Sequence, residues 1–165
     1  RRPPRSTLFP YTTLFQSMSE RTVRLHRVLR TRPEKVYRAF LEADAIAKWL
    51  PPHGFTCDVD HLDARVGGTF RMSFHNFSTG NGHSFGGEYV ELLPGELIRY
   101  TDRFDDPNLP GVMAVTVSLK PVLCGSELTI TQSGIPDAVP LEMCYLGWQE
   151  SLTQLAALVE PDIPG

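Results

Sequence analysis

The stretch GTFRMSFHNFSTGNGHSFGGEYVELLPGELIRYTDRF, residues 68–104, decides the fold. Three apolar-rich runs, 69–77, 85–92 and 96–104, are separated by Gly80-Asn81-Gly82 and Pro94-Gly95, the punctuation of tight turns. In the first run Phe70, Met72, Phe74 and Asn76 alternate with Arg71, Ser73 and His75, a period of two that places each set on its own face of a strand. Connections this short make successive strands antiparallel neighbours. Working outward, the same texture appears at 55–61, 112–120 and 126–133, with breaks at Gly67-Gly68, from Pro107 to Gly111 and at Cys124-Gly125.

The flanks read differently. Residues 21–30, RTVRLHRVLR, set Val23, Leu25 and Arg27 against Arg24, His26 and Val28, which predicts one more strand. Thr31-Arg32-Pro33-Glu34 predicts a helix start, with Thr31 as N-cap and Glu34 completing a capping box, and Val36, Tyr37, Phe40 and Leu41 form its apolar stripe. A second short helix is predicted over 44–50, stopped by Pro51-Pro52. From Pro140 to Glu160, Leu141, Cys144, Tyr145, Trp148, Leu152, Leu155, Ala156 and Val159 recur at spacings of three and four, one long amphipathic helix ended by Pro161. The order β-α-α-β6-α is an α+β architecture. An antiparallel sheet of about seven strands cannot leave its apolar face bare, so it must curve over the last helix. A helix is only about 10 Å wide and cannot fill a concave sheet, so a space between them is expected.

Residues 1–17, RRPPRSTLFPYTTLFQS, fit neither element. Their apolar residues follow no period, Pro3, Pro4 and Pro10 break any helix, and neither a secretory signal nor a transit peptide is recognisable. The segment resembles the conceptual translation of a sequencing-library adapter. It is set aside as an artefactual extension, or else a disordered arm, with Met18 as the expected start and residues 18–165 as one domain. Without Arg1, Arg2 and Arg5, the basic residues fall from 16 to 13 against 19 acids, and the net charge moves from −3 to −6. So acidic a chain argues against nucleic acid and anionic membranes as partners. Membrane insertion is not expected, because no apolar run approaches the roughly 20 residues that span a bilayer. Cys57, Cys124 and Cys144 are odd in number and unpaired in spacing, which predicts reduced, buried thiols and a cytoplasmic location.

Five local patterns, Pro33-Glu-Lys-Val-Tyr-Arg-Ala-Phe, Trp49-Leu-Pro-Pro, Val66-Gly-Gly-Thr-Phe-Arg, Gly87-Glu-Tyr-Val-Glu-Leu-Leu-Pro and Gly147-Trp-Gln-Glu-Ser-Leu, occur in one order. Together, from about Arg21 to Val159, they resemble the START-like helix-grip superfamily, also called SRPBCC. Within it they resemble the bacterial homologues of the C-terminal domain of the activator of Hsp90 ATPase. The resemblance implies a helix-grip fold with an internal apolar cavity, which relatives use to carry lipids, hormones or polyketides or as an enzyme pocket.

Strand alternation selects the residues that face this space: Phe70, Met72, Phe74 and Asn76; Ile98, Tyr100, Asp102 and Phe104; Met113, Val115, Val117 and Leu119; Leu128, Ile130 and Gln132. From the last helix come Cys144, Trp148 and Leu152, with Tyr145 beside them. Each apolar member is read either as plain core or as ligand wall, and Trp148 as an anchor of helix on sheet or a platform for ligand. Polar members are more telling, since a buried polar group needs a partner. Asp102, between Tyr100 and Phe104, is the candidate catalytic residue, either a general base or a ligand-hydroxyl acceptor. Its alternative is an end-of-strand carboxylate that reaches water or pairs with Arg99 or Arg103. Glu91 is assigned no role, and Glu88 is left open.

No metal site or cofactor is expected. His26, His53, His61, His75 and His83 lack helical metal-ligand spacing and are placed in loops or on outward faces, and Gly67-Gly68 and Gly86-Gly87 precede no helix that would cradle phosphate. The leading expectation is binding of a small apolar or amphipathic molecule, with entry at the loops 80–82 and 105–111. The alternatives are a cavity enzyme of cyclase, dehydratase or hydrolase type and an Hsp90-type co-chaperone module. A chaperone partner is not expected, and a homodimer is left open.

Overall fold

The computed structural model describes residues 21–165, so the reading of residues 1–17 and of Met18 lies outside the described residues. The elements follow the order β1 (Val23–Leu29), α1 (Pro33–Leu41), α2 (Ala43–Trp49), β2 (Phe55–Leu62), β3 (Thr69–Asn76), β4 (Gly82–Leu93), β5 (Leu97–Phe104), β6 (Met113–Val122), β7 (Gly125–Ser133) and α3 (Leu141–Val159). All seven strands form one curled antiparallel sheet in the order β1-β7-β6-β5-β4-β3-β2. Strands β2 to β7 are a meander. Strand β1 joins the far edge beside β7, and α1 and α2 carry the chain back to the opposite edge.

Helix α1 begins one residue later than its capping motif predicts. Arg32 is the N-cap and makes no side-chain cap bond, so neither Thr31 nor Glu34 acts in a capping box; Pro33 supplies the preset first turn instead. Thr31 is committed elsewhere, its carbonyl accepting a hydrogen bond from the buried Ser126 hydroxyl. Helix α2 starts one residue earlier than predicted, at Ala43, with Glu42 as its N-cap. The two helices lock together through Trp49, fully buried, whose indole Nε1 donates to the Ala39 carbonyl at 2.9 Å and whose ring meets Phe40 edge-on at 4.7 Å.

The core lies between the sheet and α3. Val115, Val117, Leu128 and Ile130 face Leu152, Leu155 and Val159, all at 2% exposure or less, dense enough to exclude water. Further along α3, the Gln154 amide donates to the carbonyls of Trp49 and Pro51 and the Ser151 hydroxyl to that of Leu50, tying the helix to the α2–β2 connection. Arg21 fastens the other approach, donating to the carbonyls of Ile135, Pro136 and Val139 ahead of α3. These bonds set the height of α3 above the sheet.

Candidate functional site

A cavity of about 340 Å³ lies between the first turns of α3, the helices α1 and α2, and the β2–β5 part of the sheet. Its walls are aromatic. Phe70, Tyr89 and Tyr100 cluster at one place, with Phe70 and Tyr100 edge-on at 5.4 Å; Phe74, Phe85, Phe104 and His83 cluster at another, with Phe74 and Phe85 edge-on at 4.9 Å. Phe40, Ile46, Trp49, Leu50 and Pro52 close the helical side, and Val139, Met143, Cys144, Gly147, Trp148 and Ser151 line the α3 side. Exposed His83 and Met143 bring the lining to the surface.

Of the residues predicted from alternation, Phe70, Met72, Phe74, Tyr100, Asp102, Phe104, Gln132, Cys144 and Trp148 stand on this cavity. The others do not. Ile98, Met113, Val115, Val117, Leu119, Leu128, Ile130 and Leu152 are buried in the packed core, where α3 has already met the sheet. Asn76 ends its strand, and its Oδ1 accepts from the backbone N–H groups of Ser78 and Thr79, capping the turn rather than facing the space.

Gln132 reads differently once its partners are known. Its Oε1 accepts from Trp148 Nε1 at 2.7 Å and from the Cys144 thiol at 3.4 Å, while its Nε2 lies 3.1 Å from Met113 Sδ. The amide is therefore a clamp between β7 and α3, and Trp148 is an anchor as well as a wall. Burial pushes the Cys144 thiol up to about 11, so it stays a neutral donor in this clamp. Cys57 is also raised to about 11 by burial and by Asp58. All three cysteines are free; Cys57 and Cys144 are half-buried, and Cys124 is exposed in the β6–β7 turn, which corrects the expectation of burial for it.

Asp102 does not make the ion pair with Arg99 or Arg103 that is one of its alternatives. Arg99 lies 3.4 Å from Glu91, and Arg71 pairs with Asp105 at the end of β5. Asp102 itself has no ion pair among the described residues, and its Oδ1 is buried without a hydrogen-bond partner. Burial drives its carboxyl up to about 7, with a hydrogen bond from the Arg103 backbone N–H pulling the other way. Tyr100, next on the same face, is raised well above an ordinary phenol by burial, then by the Asp102 charge and by Tyr89.

Beside Asp102 the β4 and β5 backbones approach closely at a glycine. Gly87 pairs with Phe70 on β3, and on its β5 side a Cβ built there would stand 1.7 Å from the Thr101 carbonyl oxygen and 3.2 Å from Asp102 Cα. No side chain fits at 87. Two residues later the β4–β5 register slips between Tyr89 and Glu91. This bulge leaves Val90 exposed, Tyr89 buried on the cavity and Leu92 back against the core, while Glu88 is exposed.

Sequence reading placed His83, with the other histidines, in loops or on outward faces. It lies in β4, two residues before Phe85 and so on the same face, and its imidazole is held below its ordinary value by desolvation and by His75. Extending the β4 alternation back to Gly82 would have found it. The contributions of α1 and α2 were out of reach of strand alternation, because they depend on how the helices cross the sheet. Among the described residues no cluster of three or more His, Cys, Asp or Glu could hold a metal ion, and no helix is long and apolar enough to cross a membrane.

With the site in place, comparison with known proteins gives consistent results. The family described as Activator of Hsp90 ATPase homolog 1-like protein matches residues 30–160. No curated protein matches the chain. Among solved structures, protein CV1439 from Chromobacterium violaceum is 64% identical, with a TM-score of 0.86 over 87% of this chain and 99% of that one. Protein NE0264 from Nitrosomonas europaea is 24% identical, with a TM-score of 0.71 over 84% of this chain and 93% of that one, a likeness of fold. A structure from Mesorhizobium loti, protein MLL2253, is 25% identical with a TM-score of 0.64, covering 86% and 99% of the respective chains.

Proposed function

The chain belongs to the Activator of Hsp90 ATPase homolog 1-like family, whose START-like fold is one of ligand-binding cavities, and from that premise we propose that it binds a small apolar or amphipathic molecule between sheet and α3. The observation that carries this reading is the cavity of about 340 Å³ itself, walled by aromatic side chains and Met72 and not filled by the helix above it. Apolar walls with a few placed polar groups are the usual make-up of a small-molecule site.

Gly147 supports the same reading. It lies inside α3, where glycine costs about 1 kcal/mol against alanine, yet a Cβ built there meets nothing within 4 Å. The helix forgoes stability at an α3 position on the cavity wall, where a side chain would enter open space, as expected of a cavity kept for a guest.

The test is a fluorescence titration with N-phenyl-1-naphthylamine, a neutral apolar dye that brightens out of water. Saturable, blue-shifted binding is expected for the whole chain. Gly147→Leu should abolish it or weaken it at least about tenfold while raising Tm, because the new side chain fills the cavity and relieves the helix. Binding unchanged in Gly147→Leu would put the dye elsewhere and sink the reading.

One observation favours a second reading, a cavity enzyme of cyclase, dehydratase or hydrolase type: Asp102 has a shielded oxygen and a carboxyl near 7, suited to acid–base work at neutral pH. A binder keeps its affinity for the neutral dye in Asp102→Asn. An enzyme loses orders of magnitude in turnover.

A further inference from the structure

The cavity has a charge pattern that its apolar character conceals. Among its lining residues there is no lysine and no arginine, and the one carboxylate is Asp102, whose Oδ1 has no partner. The titratable groups that face the same space are Tyr100 on β5, Tyr89 and His83 on β4, and Cys144 on α3. The phenols and the thiol are all raised, and His83 is lowered. All four are therefore neutral near pH 7. The linings from α1, α2, β2, β3 and β7 bring no ionisable side chain. An ionised Asp102 thus has no counter-charge in the cavity.

Its surroundings are aromatic on each side. Tyr100 and Phe104 flank it along β5; on β4, Tyr89 pairs with Tyr100 and Phe85 with Phe104; Phe70 stands 5.4 Å from the Tyr100 ring centroid. A carboxylate with aromatic neighbours and no other charge in the cavity is complementary to a cation: rings attract a cation through their quadrupoles and the carboxylate through its charge.

We propose that the cavity selects molecules carrying one protonated amine or quaternary ammonium group on an apolar body, with Asp102 as counter-ion and the surrounding rings as the cation's other contacts. The inference rests on the apolar-cavity reading above and narrows it. It also excludes free fatty acids and other apolar carboxylates as preferred guests, since their charge would meet Asp102 with no cation between them.

The experiment is calorimetric titration of the whole chain with four probes sharing one tail: n-decylamine, n-decyltrimethylammonium, n-decanol and n-decanoate, at pH 8 and at pH 5.5. At pH 8 the two cations should bind at least about tenfold more tightly than decanol, and decanoate should be weakest. At pH 5.5, with Asp102 protonated, the cation preference should shrink by about tenfold or more while decanol is unchanged. Asp102→Asn, checked for native near-UV circular dichroism, should bind the cations no better than decanol at either pH. The pH comparison on the unaltered chain keeps the test decisive should that variant not fold. Equal binding of cations and decanol, or a preference for decanoate, overturns the cation proposal and leaves the apolar reading standing. No binding of any of the four overturns both.

Discussion

The two halves of the sheet obey the same alternation and end in opposite states. In β6 and β7 every second residue from Met113 to Leu119 and from Ser126 to Gln132 is buried, and the aliphatic ones among them pack with Leu152, Leu155 and Val159 in the second half of α3. In β3, β4 and β5 the inward positions carry long aromatic side chains, the β4–β5 register slips once, and the rings face space. A single helix covers one half of a curved sheet and leaves the other. Packing finished the first half and left the second with room, and Asp102 Oδ1, buried without a hydrogen-bond partner, stands in that second half.

Three substitutions or titrations would break this contrast or sharpen it. The largest effect is expected in the packed half: Leu155→Ala removes a fully buried side chain that cannot be replaced by water and should cost about 2–5 kcal/mol in urea unfolding. A loss below about 1 kcal/mol would mean that this half is no better packed than the other.

Next comes the pH profile. The Asp102 carboxyl is raised from its ordinary 3.8 to about 7 in the folded chain. Between these values the folded state holds a proton that the unfolded state has released. The contribution of this group to stability is therefore largest below pH 4 and falls as pH rises through 7, by an amount on the order of a few kcal/mol. Asp105 and Glu127 are held low by Arg71 and His26, so their contributions run the other way and fade as pH drops below the ordinary carboxylate range. The difference in stability between Asp102→Asn and the unaltered chain, followed from pH 4 to 8, isolates the first slope. A flat difference would place Asp102 in contact with water.

The smallest stability effect belongs to the cavity wall. Phe74→Leu shortens a half-buried side chain already bordering open space and should cost under about 1.5 kcal/mol. Its affinity for the neutral dye should nonetheless fall several-fold. A larger stability loss with unchanged binding would reverse the assignment of the two halves.

Much of this was legible in the residues. The seven strands and three helices fall within three residues of the boundaries that turn residues and periodicity predict, because glycine, proline and alternation act on the local chain. Nine of the eighteen residues named as facing the space stand on the cavity. Those that do not, such as Asn76, Val117, Ile130 and Leu152, share a sheet face or helix stripe with ones that do. Alternation reports which side of a sheet a residue takes and says nothing of what covers that side.

The sequence by itself therefore determined the element order, the inward face of β3, β5, β6 and β7, and the presence of a lone carboxylate between Tyr100 and Phe104. Tertiary structure alone decided that Gln132 is spent on Trp148 and Cys144, that His83 and Tyr89 join the wall, and that Arg99 and Arg71 turn to other acids while Asp102 Oδ1 stays alone. The physical reason is range. Strand period and turn chemistry are fixed within a few residues of chain, whereas the partner of a buried polar atom is set by groups from distant elements, here β7 against α3, brought within 3 Å by packing.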